Sequence, residues 1–333
     1  MIAGGGRAGL FRLLLGLAIS AFFAWATLQR VDLAEVGAAL QRVNLAGLVI
    51  VVGLVAVELV LRAWRWRVLL RPLADVPLRR TSAYLAIGYF ANTMLPARLG
   101  DVARALLAGR AFQIPRLAVL GTIVVERLAD GLFILAVVVL LGLVVAGGAD
   151  LASTAIALSV IAVVGLVVLA GVLAWIRRPG EGLRGRIREL VDRVLAGMAA
   201  LRSPGSFAVV ALLTVLAFGL SVASFATVAT AAGVQLTIGQ AALVMGGLAL
   251  STSIPAAPGS LGTYEFVGLT ILTTLGVDAD TALAIVVVIH IAATLPLALA
   301  GLVAAWQLHF RVSEIAEDAA PAHLGEGDGA LAS

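Results

Sequence analysis

The chain has no cysteine and no lysine, and its charges are few. The lack of cysteine excludes disulfides and thiol chemistry. Its three histidines are scattered along the sequence and predict no metal site. Only 13% of the residues are charged, whereas soluble domains have about a quarter. A phosphate-binding P-loop, an HExxH metal motif and a nucleophile elbow are all missing. We therefore predict no catalytic residues and no cofactor, and we expect the protein not to be an enzyme.

Long apolar runs fill most of the 333 residues. Hydrophobic residues make up 62% of the chain, and the mean hydropathy is +1.10. A helix needs about 20 apolar residues to cross a bilayer core of about 30 Å, and run after run reaches that length. The sequence therefore predicts an all-α fold, a polytopic transmembrane helical bundle. Full spans are predicted at residues 9–28, 44–61, 117–146, 151–176, 207–232 and 281–308.

The bundle is predicted to form one transmembrane domain over residues 1–310. Residues 311–333 are polar, acidic and rich in alanine and glycine. Such a composition is typical of disorder. We therefore expect a disordered cytoplasmic tail there.

Two further apolar regions, 81–116 and 238–275, are interrupted by proline and glycine. Proline removes a helical hydrogen bond, and glycine frees the backbone. Each half has roughly 15–17 residues, too few for a comfortable crossing. We therefore predict two re-entrant hairpins of half-helices, with eight ordinary spans as the alternative. The predicted hinge residues are Pro96, Gly100, Pro258, Gly259 and Gly262.

The arginines predict the orientation of these helices. Residues 62–116 contain ten arginines and residues 177–202 seven, whereas the connections near Asp150, Gly233 and Asp278 contain none. Arginine-rich loops stay in the cytoplasm. The first hairpin then opens to the cytoplasm and the second to the outside, with both termini inside. The connection at residues 29–43 falls outside in this topology.

Trp64 and Trp66 lie among the arginines that follow the second predicted span. Tryptophan is enriched where helices meet the membrane surface. We therefore assign both residues to the aromatic belt.

The two broken regions resemble each other in sequence. Residues 92–101 and 251–265 both run polar, Thr, any residue, aliphatic, Pro, Ala, and then Leu-Gly followed by an acid. Three predicted full spans separate them, so the repeat is inverted. Interrupted segments at matching places in two halves are typical of a transport site.

Arg98 and Arg104 flank the first break, and Asn92 precedes it. Arginine binds phosphate through a planar fork, and a half-helix beginning here offers free amides and a positive dipole end. We predict that these three residues bind an anionic head group. Asp101 opposes this, because it can cap the amides or pair with Arg104. The alternative is a positive-inside loop with a local salt bridge.

Glu126 and Asp130 lie one helical turn apart in the first turns of a long span. Two like charges near hydrocarbon need a cation between them, and Arg98 or Arg104 is the predicted source. Charges within the membrane are expensive and mark functional sites. Snorkelling of both side chains to the interface is the alternative.

Glu265 lies in the second half-helix of the outer hairpin, and His290 lies in the last span. His290 is predicted near the bilayer midplane, about 14 Å below Thr281. We predict that both residues belong to the binding site and serve an outer gate or a proton step. A cap or packing hinge at Glu265, and a hydrogen bond from His290 to a neighbouring helix, are the alternatives.

With these segments the chain resembles the lysylphosphatidylglycerol synthase transmembrane-region family, also called flippase-like domain proteins. The resemblance covers nearly the whole chain. In this sequence it departs at Asp101, where the family usually has glutamate, and at Ser260, where a third glycine is common. The segments that carry it are residues 62–70 (RAWRWRVLL), 92–104 (NTMLPARLGDVAR), 126–130 (ERLAD) and 258–265 (PGSLGTYE).

The resemblance implies a flippase-like domain that moves a lipid between leaflets. In the long members a soluble domain makes the aminoacylated lipid, and we expect no such activity here. The predicted location is the bacterial inner membrane, and the predicted ligand is a membrane lipid, anionic or polyprenyl-linked. Nucleic acid is not a predicted partner, and homo-oligomerisation is left open. Alternatives are a non-transporting membrane partner or enzyme subunit acting on a lipid carrier, such as a partner of a glycosyltransferase, and a scaffold.

Overall fold

The computed structural model describes residues 3–95, 99–145, 192, 195–252, 254 and 256–308. Within these residues the chain forms α-helices and two short 3-10 turns, and no strand. The predicted all-α helical bundle is therefore confirmed. The predicted span at residues 151–176, the tail at 311–333, Pro96 and Arg98 lie outside the described residues.

The described residues contain ten α-helices. In chain order they are α1 (Ala3–Leu28), α2 (Leu33–Arg42), α3 (Leu45–Leu70), α4 (Leu78–Met94), α5 (Leu99–Phe112), α6 (Arg116–Val145), α7 (Pro204–Ala231), α8 (Ile238–Ser251), α9 (Thr263–Thr274) and α10 (Ala279–Gln307). The 3-10 turns are Ala199–Arg202 and Pro258–Ser260.

Capping side chains fix several helix ends. Asp32 precedes α2 and accepts a hydrogen bond from the amide two residues later, at 2.8 Å. Thr237 and Gln240 form a reciprocal capping box at the start of α8. At α9, Glu265 reaches back to the amide of Gly262 at 2.6 Å. These contacts satisfy amides that a helix start leaves without partners.

Three helices, α3, α7 and α10, are long and apolar enough to cross a membrane. Each corresponds to a predicted full span. Helices α1 and α2 provide a fourth candidate if they count as one span, although they meet at 86°. Helix α6 occupies the predicted span at residues 117–146 and carries the acids Glu126 and Asp130.

The chain divides into two compact units, each with apolar packing of its own. The first unit comprises Met1–Leu59, Ala86–Gly100 and Ala217–Val303, and the second comprises Val60–Leu85, Asp101–Leu216 and Ala304–Ser333. Phe225, Leu248, Leu269 and Ile285 are fully buried in the first unit. In the second, Leu69 packs with Val125, Ala200 and Val210.

Both predicted breaks are present. Helices α4 and α5 have 17 and 14 residues, and α8 and α9 have 14 and 12. All four are shorter than a full span. The chain turns back at each break, since Gly100 at the start of α5 lies against α4, and α8 packs beside α9. The inverted relation of the two hairpins stays a prediction.

Two backbone amides in the connections on either side of α2 donate to helix ends of the first unit. The amide of Asn44 donates to the carbonyl oxygen of Ala231 at 3.3 Å. The amide of Asp32 donates to Asp280 Oδ1 at 2.7 Å. The α2–α3 connection therefore lies beside the end of α7, and the α1–α2 connection lies beside the start of α10. The membrane face on which these connections lie stays a prediction.

Candidate functional site

The first break holds the start of α5 tightly against α4. The amide of Gly100 donates to Asn92 Oδ1 at 2.8 Å. A Cβ at position 100 would stand 1.9 Å from the carbonyl oxygen of Gly88, a distance that no side chain tolerates. Gly100 is thus required for the close approach, and Asn92 is the polar partner of the hinge amide.

Arg104, one turn beyond the break, is buried in ion pairs. Its two terminal nitrogens each donate to one oxygen of Glu126 at 3.3 Å. The Nη2 atom also lies 3.2 Å from Asp101 Oδ1. None of the Arg104 side chain is exposed. Carboxylates already occupy the fork of Arg104 in this conformation, and its predicted phosphate contact stays a prediction.

Arg65 of α3 lies between the two acids of α6. It donates to both oxygens of Asp130, with a distance of 3.0 Å from Nη2 to Oδ2, and Nη1 donates to Thr214 Oγ1 at 2.9 Å. Its Nη2 atom lies 3.6 Å from Glu126 Oε1. The cation that Glu126 and Asp130 require is therefore Arg65, which Arg104 assists at Glu126.

Trp66 covers this network from one side. Its indole nitrogen donates to Thr122 Oγ1 at 3.0 Å, and its ring centroid lies 5.0 Å from the Arg104 guanidinium carbon. A guanidinium over an indole face is attracted by the ring electrons. Because Trp66 is fully buried, its assignment to the aromatic belt is wrong, whereas Trp64 is exposed.

Arg62 and Arg127 form the accessible edge of the network. Arg127 Nη2 lies 3.2 Å from Asp101 Oδ1, and Arg62 Nη1 lies 3.7 Å from Asp130 Oδ2. Their side chains are 32% and 14% exposed. The side chains of Arg65, Arg104 and Glu126, at the centre of the network, are at most 1% exposed. We call this network of ion pairs across α3, α5 and α6 the arginine network.

Two guanidinium groups, those of Arg65 and Arg104, lie at the centre of the arginine network. The Nε atoms of Arg65 and Arg104 are buried and find no acceptor among the described residues. A buried donor without a partner costs about 1–3 kcal/mol. The described contacts therefore leave two N–H donors unsatisfied at the centre of the network.

A second polar site lies in the first unit, where α9 meets α10. His290 Nδ1 and Glu265 Oε1 are 2.6 Å apart, and their side chains are 12% and 15% exposed. The ring of Tyr264 stacks on the imidazole with a centroid distance of 4.2 Å. The two residues predicted from separate segments are thus brought into direct contact.

The loop before α9 is fixed by the same carboxylate. Glu265 Oε2 accepts from the amide of Gly262, whose φ of 86° favours glycine. A Cβ at Gly262 would also stand 2.5 Å from the carbonyl oxygen of Ser20 on α1. The hydroxyl of Ser20 accepts from the amide of Ala257 at 2.8 Å. Helix α1 and Glu265 therefore hold the loop from opposite ends.

The other predicted hinge residues of this loop have separate roles. Pro258 begins the 3-10 turn, and Gly259 has a φ of 74° inside it. No atom lies within 4 Å of a Cβ built at Gly259 among the described residues. Gly259 is therefore required by its backbone conformation, whereas Gly262 is required by both conformation and space.

The arginine network, both breaks and the Glu265–His290 pair lie within the segment that a comparison with protein families identifies. Residues 13–301 match the family described as Lysylphosphatidylglycerol synthase TM region. The chain belongs to this family. It is therefore a multi-pass membrane protein with a lipid-related function, and the resemblance seen in the sequence is confirmed. A comparison with curated proteins found no match.

In this member of the synthase transmembrane-region family, sequence reasoning missed Arg65 and Trp66. One signal was available for the first. Arg62 and Arg65 are three residues apart on α3 and therefore share a helix face, which is the face that both direct towards Asp130. The burial of Trp66 had no comparable signal, because it depends on how α3 packs against α5 and α6.

Proposed function

We propose that the protein is a lipid translocator of the bacterial inner membrane. The substrate is an anionic phospholipid or a polyprenyl-linked lipid, which acts as ligand and cargo. Both termini lie in the cytoplasm in this proposal, and the protein itself is not an enzyme. Membership of the synthase transmembrane-region family supports the lipid as ligand.

The observation that carries the proposal is the arginine network. Arg65, Arg104 and Glu126 are buried within helices that are otherwise mostly apolar. Charges at such positions are expensive, and they mark substrate or ion pathways in membrane proteins. The network also begins in the first turn of α5, directly after the break, through Asp101. Charged side chains and a broken backbone therefore occur next to each other along the chain, and each is typical of transport sites.

The network has a supporting role in the proposed mechanism. Its ion pairs fix the first turn of α5 and hold a positive environment beside the break. Arg98, which follows Pro96 in the sequence, is the proposed direct contact for the lipid phosphate. Arg104 and Asn92 position that region, since their polar atoms are engaged with Glu126 and Gly100.

The deciding experiment is a translocation assay in proteoliposomes. The purified protein is reconstituted with a trace of fluorescent anionic phospholipid, and a membrane-impermeant quencher measures how fast the probe changes leaflet. We expect the anionic probe to move faster than in protein-free vesicles and faster than a zwitterionic probe. Rates equal to those of protein-free vesicles for both probes contradict translocation and favour a non-transporting membrane partner.

Native mass spectrometry of the gently purified protein identifies the cargo class. A translocator of anionic or polyprenyl-linked lipid is expected to retain such a lipid above its share in the membrane extract. Retention of zwitterionic lipid alone, in proportion to the extract, argues against the proposed substrate class.

A further inference from the structure

The carboxylate of Glu265 joins three parts of the first unit. Its Oε1 atom contacts His290 on α10, and its Oε2 atom accepts the amide of Gly262 at the end of the loop. Glu265 itself belongs to the first turn of α9. A change in charge on this group therefore reaches the loop and α10 at the same time.

The pair has the chemistry of a proton-binding site. With a neutral imidazole, Nδ1–H donates to the carboxylate, and the pair carries one negative charge. Uptake of one proton from water at the other ring nitrogen gives an imidazolium–carboxylate pair of zero net charge. Histidine is the side chain whose ordinary titration lies between about pH 5 and 8. The side chains of His290 and Glu265 are both partly exposed.

The charged and titratable groups around the pair come from each neighbouring element. Tyr264 of α9 stacks on the imidazole, and Glu58 of α3 acts electrostatically on Tyr264. Arg30, between α1 and α2, lies 4.8 Å from the centre of the Phe266 ring and donates to Thr270. Arg30 therefore contacts α9 at residues that follow Glu265.

We propose that Glu265 and His290 bind the proton that drives lipid translocation. This inference rests on the function proposed above and names its energy source. Proton uptake removes the negative charge of the pair, and any proton held on Glu265 weakens its hydrogen bond to Gly262, because a carboxylate accepts more strongly than a carboxylic acid. The loop is then held mainly by Ser20, and α10 contains Pro296 six residues after His290, where a helix bends readily.

The test compares translocation with and without a pH gradient across the vesicle membrane. The fluorescent anionic phospholipid reports lipid movement, and a trapped pH dye reports proton entry. One pH unit shifts a one-proton equilibrium by up to about tenfold. We expect a gradient of one sign to accelerate the wild-type protein by up to that factor, with proton entry, and the opposite gradient not to do so.

Two variants assign the effect to this pair. Glu265→Gln keeps the size but cannot ionise, and it offers one acceptor oxygen where the carboxylate offers two. His290→Gln removes the imidazole ring. Both are expected to reduce the ratio of rates with and without the gradient to about one. Glu35→Gln, an exposed acid of α2, is the matched control and is expected to keep the wild-type ratio. Recovery in size-exclusion chromatography normalises each rate to folded protein.

The outcomes separate the two proposals. Wild-type translocation that is equal with and without the gradient overturns proton coupling and leaves lipid translocation standing. A full gradient response in Glu265→Gln or His290→Gln overturns the assignment to this pair. No wild-type translocation under any gradient overturns both proposals.

Discussion

Arg65 and Asp130 form a bidentate ion pair inside the arginine network, although they are 65 positions apart in the sequence. The pair joins α3 to α6, and its guanidinium is 1% exposed. Such a contact is costly to break from one side, because the remaining charge stays buried without its partner.

Asp130→Asn is therefore expected to lower the free energy of unfolding by about 3–5 kcal/mol. Arg65 would keep its contacts to Thr214 and Glu126 but lose a charged partner. The measurement is denaturant unfolding in detergent, followed by tryptophan fluorescence. Asp75→Asn is the matched control, since the Asp75–Arg67 pair is exposed and is expected to contribute no more than about 1 kcal/mol. Equal losses in the two variants would show that burial of the Arg65–Asp130 pair has no energetic consequence.

Gly100→Ala is expected to disrupt the first break. The added methyl group would lie 1.9 Å from a carbonyl oxygen of α4, so the backbone must shift and stretch the bond to Asn92. We expect a loss of at least about 1–3 kcal/mol in unfolding free energy and slower lipid translocation. Gly53→Ala, in an exposed part of α3 with no atom within 4 Å of its Cβ among the described residues, is the control and should be close to neutral. Wild-type behaviour of Gly100→Ala would contradict the close approach of α5 to α4.

Arg98→Lys is expected to impair lipid translocation although it keeps the charge, because lysine lacks the fork that binds two phosphate oxygens. A charged hydrogen bond contributes about 1.5–3 kcal/mol, so the loss of one should weaken lipid binding by at least about tenfold. Arg98→Glu should be worse, since it replaces a cation by an acid three residues before Asp101 in the sequence. Arg67→Lys, whose guanidinium is 41% exposed, is the control. If well-folded Arg98→Glu translocates at the wild-type rate, the phosphate is bound elsewhere.

Single cysteines report the orientation, because the natural chain contains none. Cysteines at Gly233 and Asp278 are expected to react with an impermeant thiol reagent added outside intact cells. A cysteine at Asp75, whose side chain is 84% exposed, is expected to react only after the membrane is opened, because its connection is rich in arginine. Reaction at Asp75 from outside, with protection at the other two, would invert the proposed topology.

The sequence predicts the parts of this fold that depend on local pattern. Apolar run length predicts the spans to which α3, α7 and α10 correspond, and proline and glycine predict both breaks. The spacing of Glu126 and Asp130 predicts that they share a face and need a cation. Which cation fills that position depends on the packing of α3, and a helix pattern alone does not specify its neighbour.

Contacts between helices could not be predicted at the Glu265–His290 pair or in the arginine network, because a helix pattern does not specify its neighbour. Glu265 and His290 were each recognisable as polar residues in apolar segments, but their 2.6 Å contact depends on how α9 packs against α10. Arg104 has one ion pair that the sequence could predict and one that it could not. Asp101 is three residues away, so that pair was available as an alternative, whereas the bidentate contact with Glu126 involves a different helix.

Arg65 also restricts how α6 can move. A helix advances about 100° around its axis with each residue, so a rotation of α6 by one position would carry both Glu126 and Asp130 away from the single guanidinium that they share. Sliding by one turn would replace one acid by the other and leave a carboxylate stranded in the interior. The ion pairs therefore fix the position of α6 relative to the part of α3 around Arg65. Any displacement that accompanies lipid movement must therefore carry these two segments together.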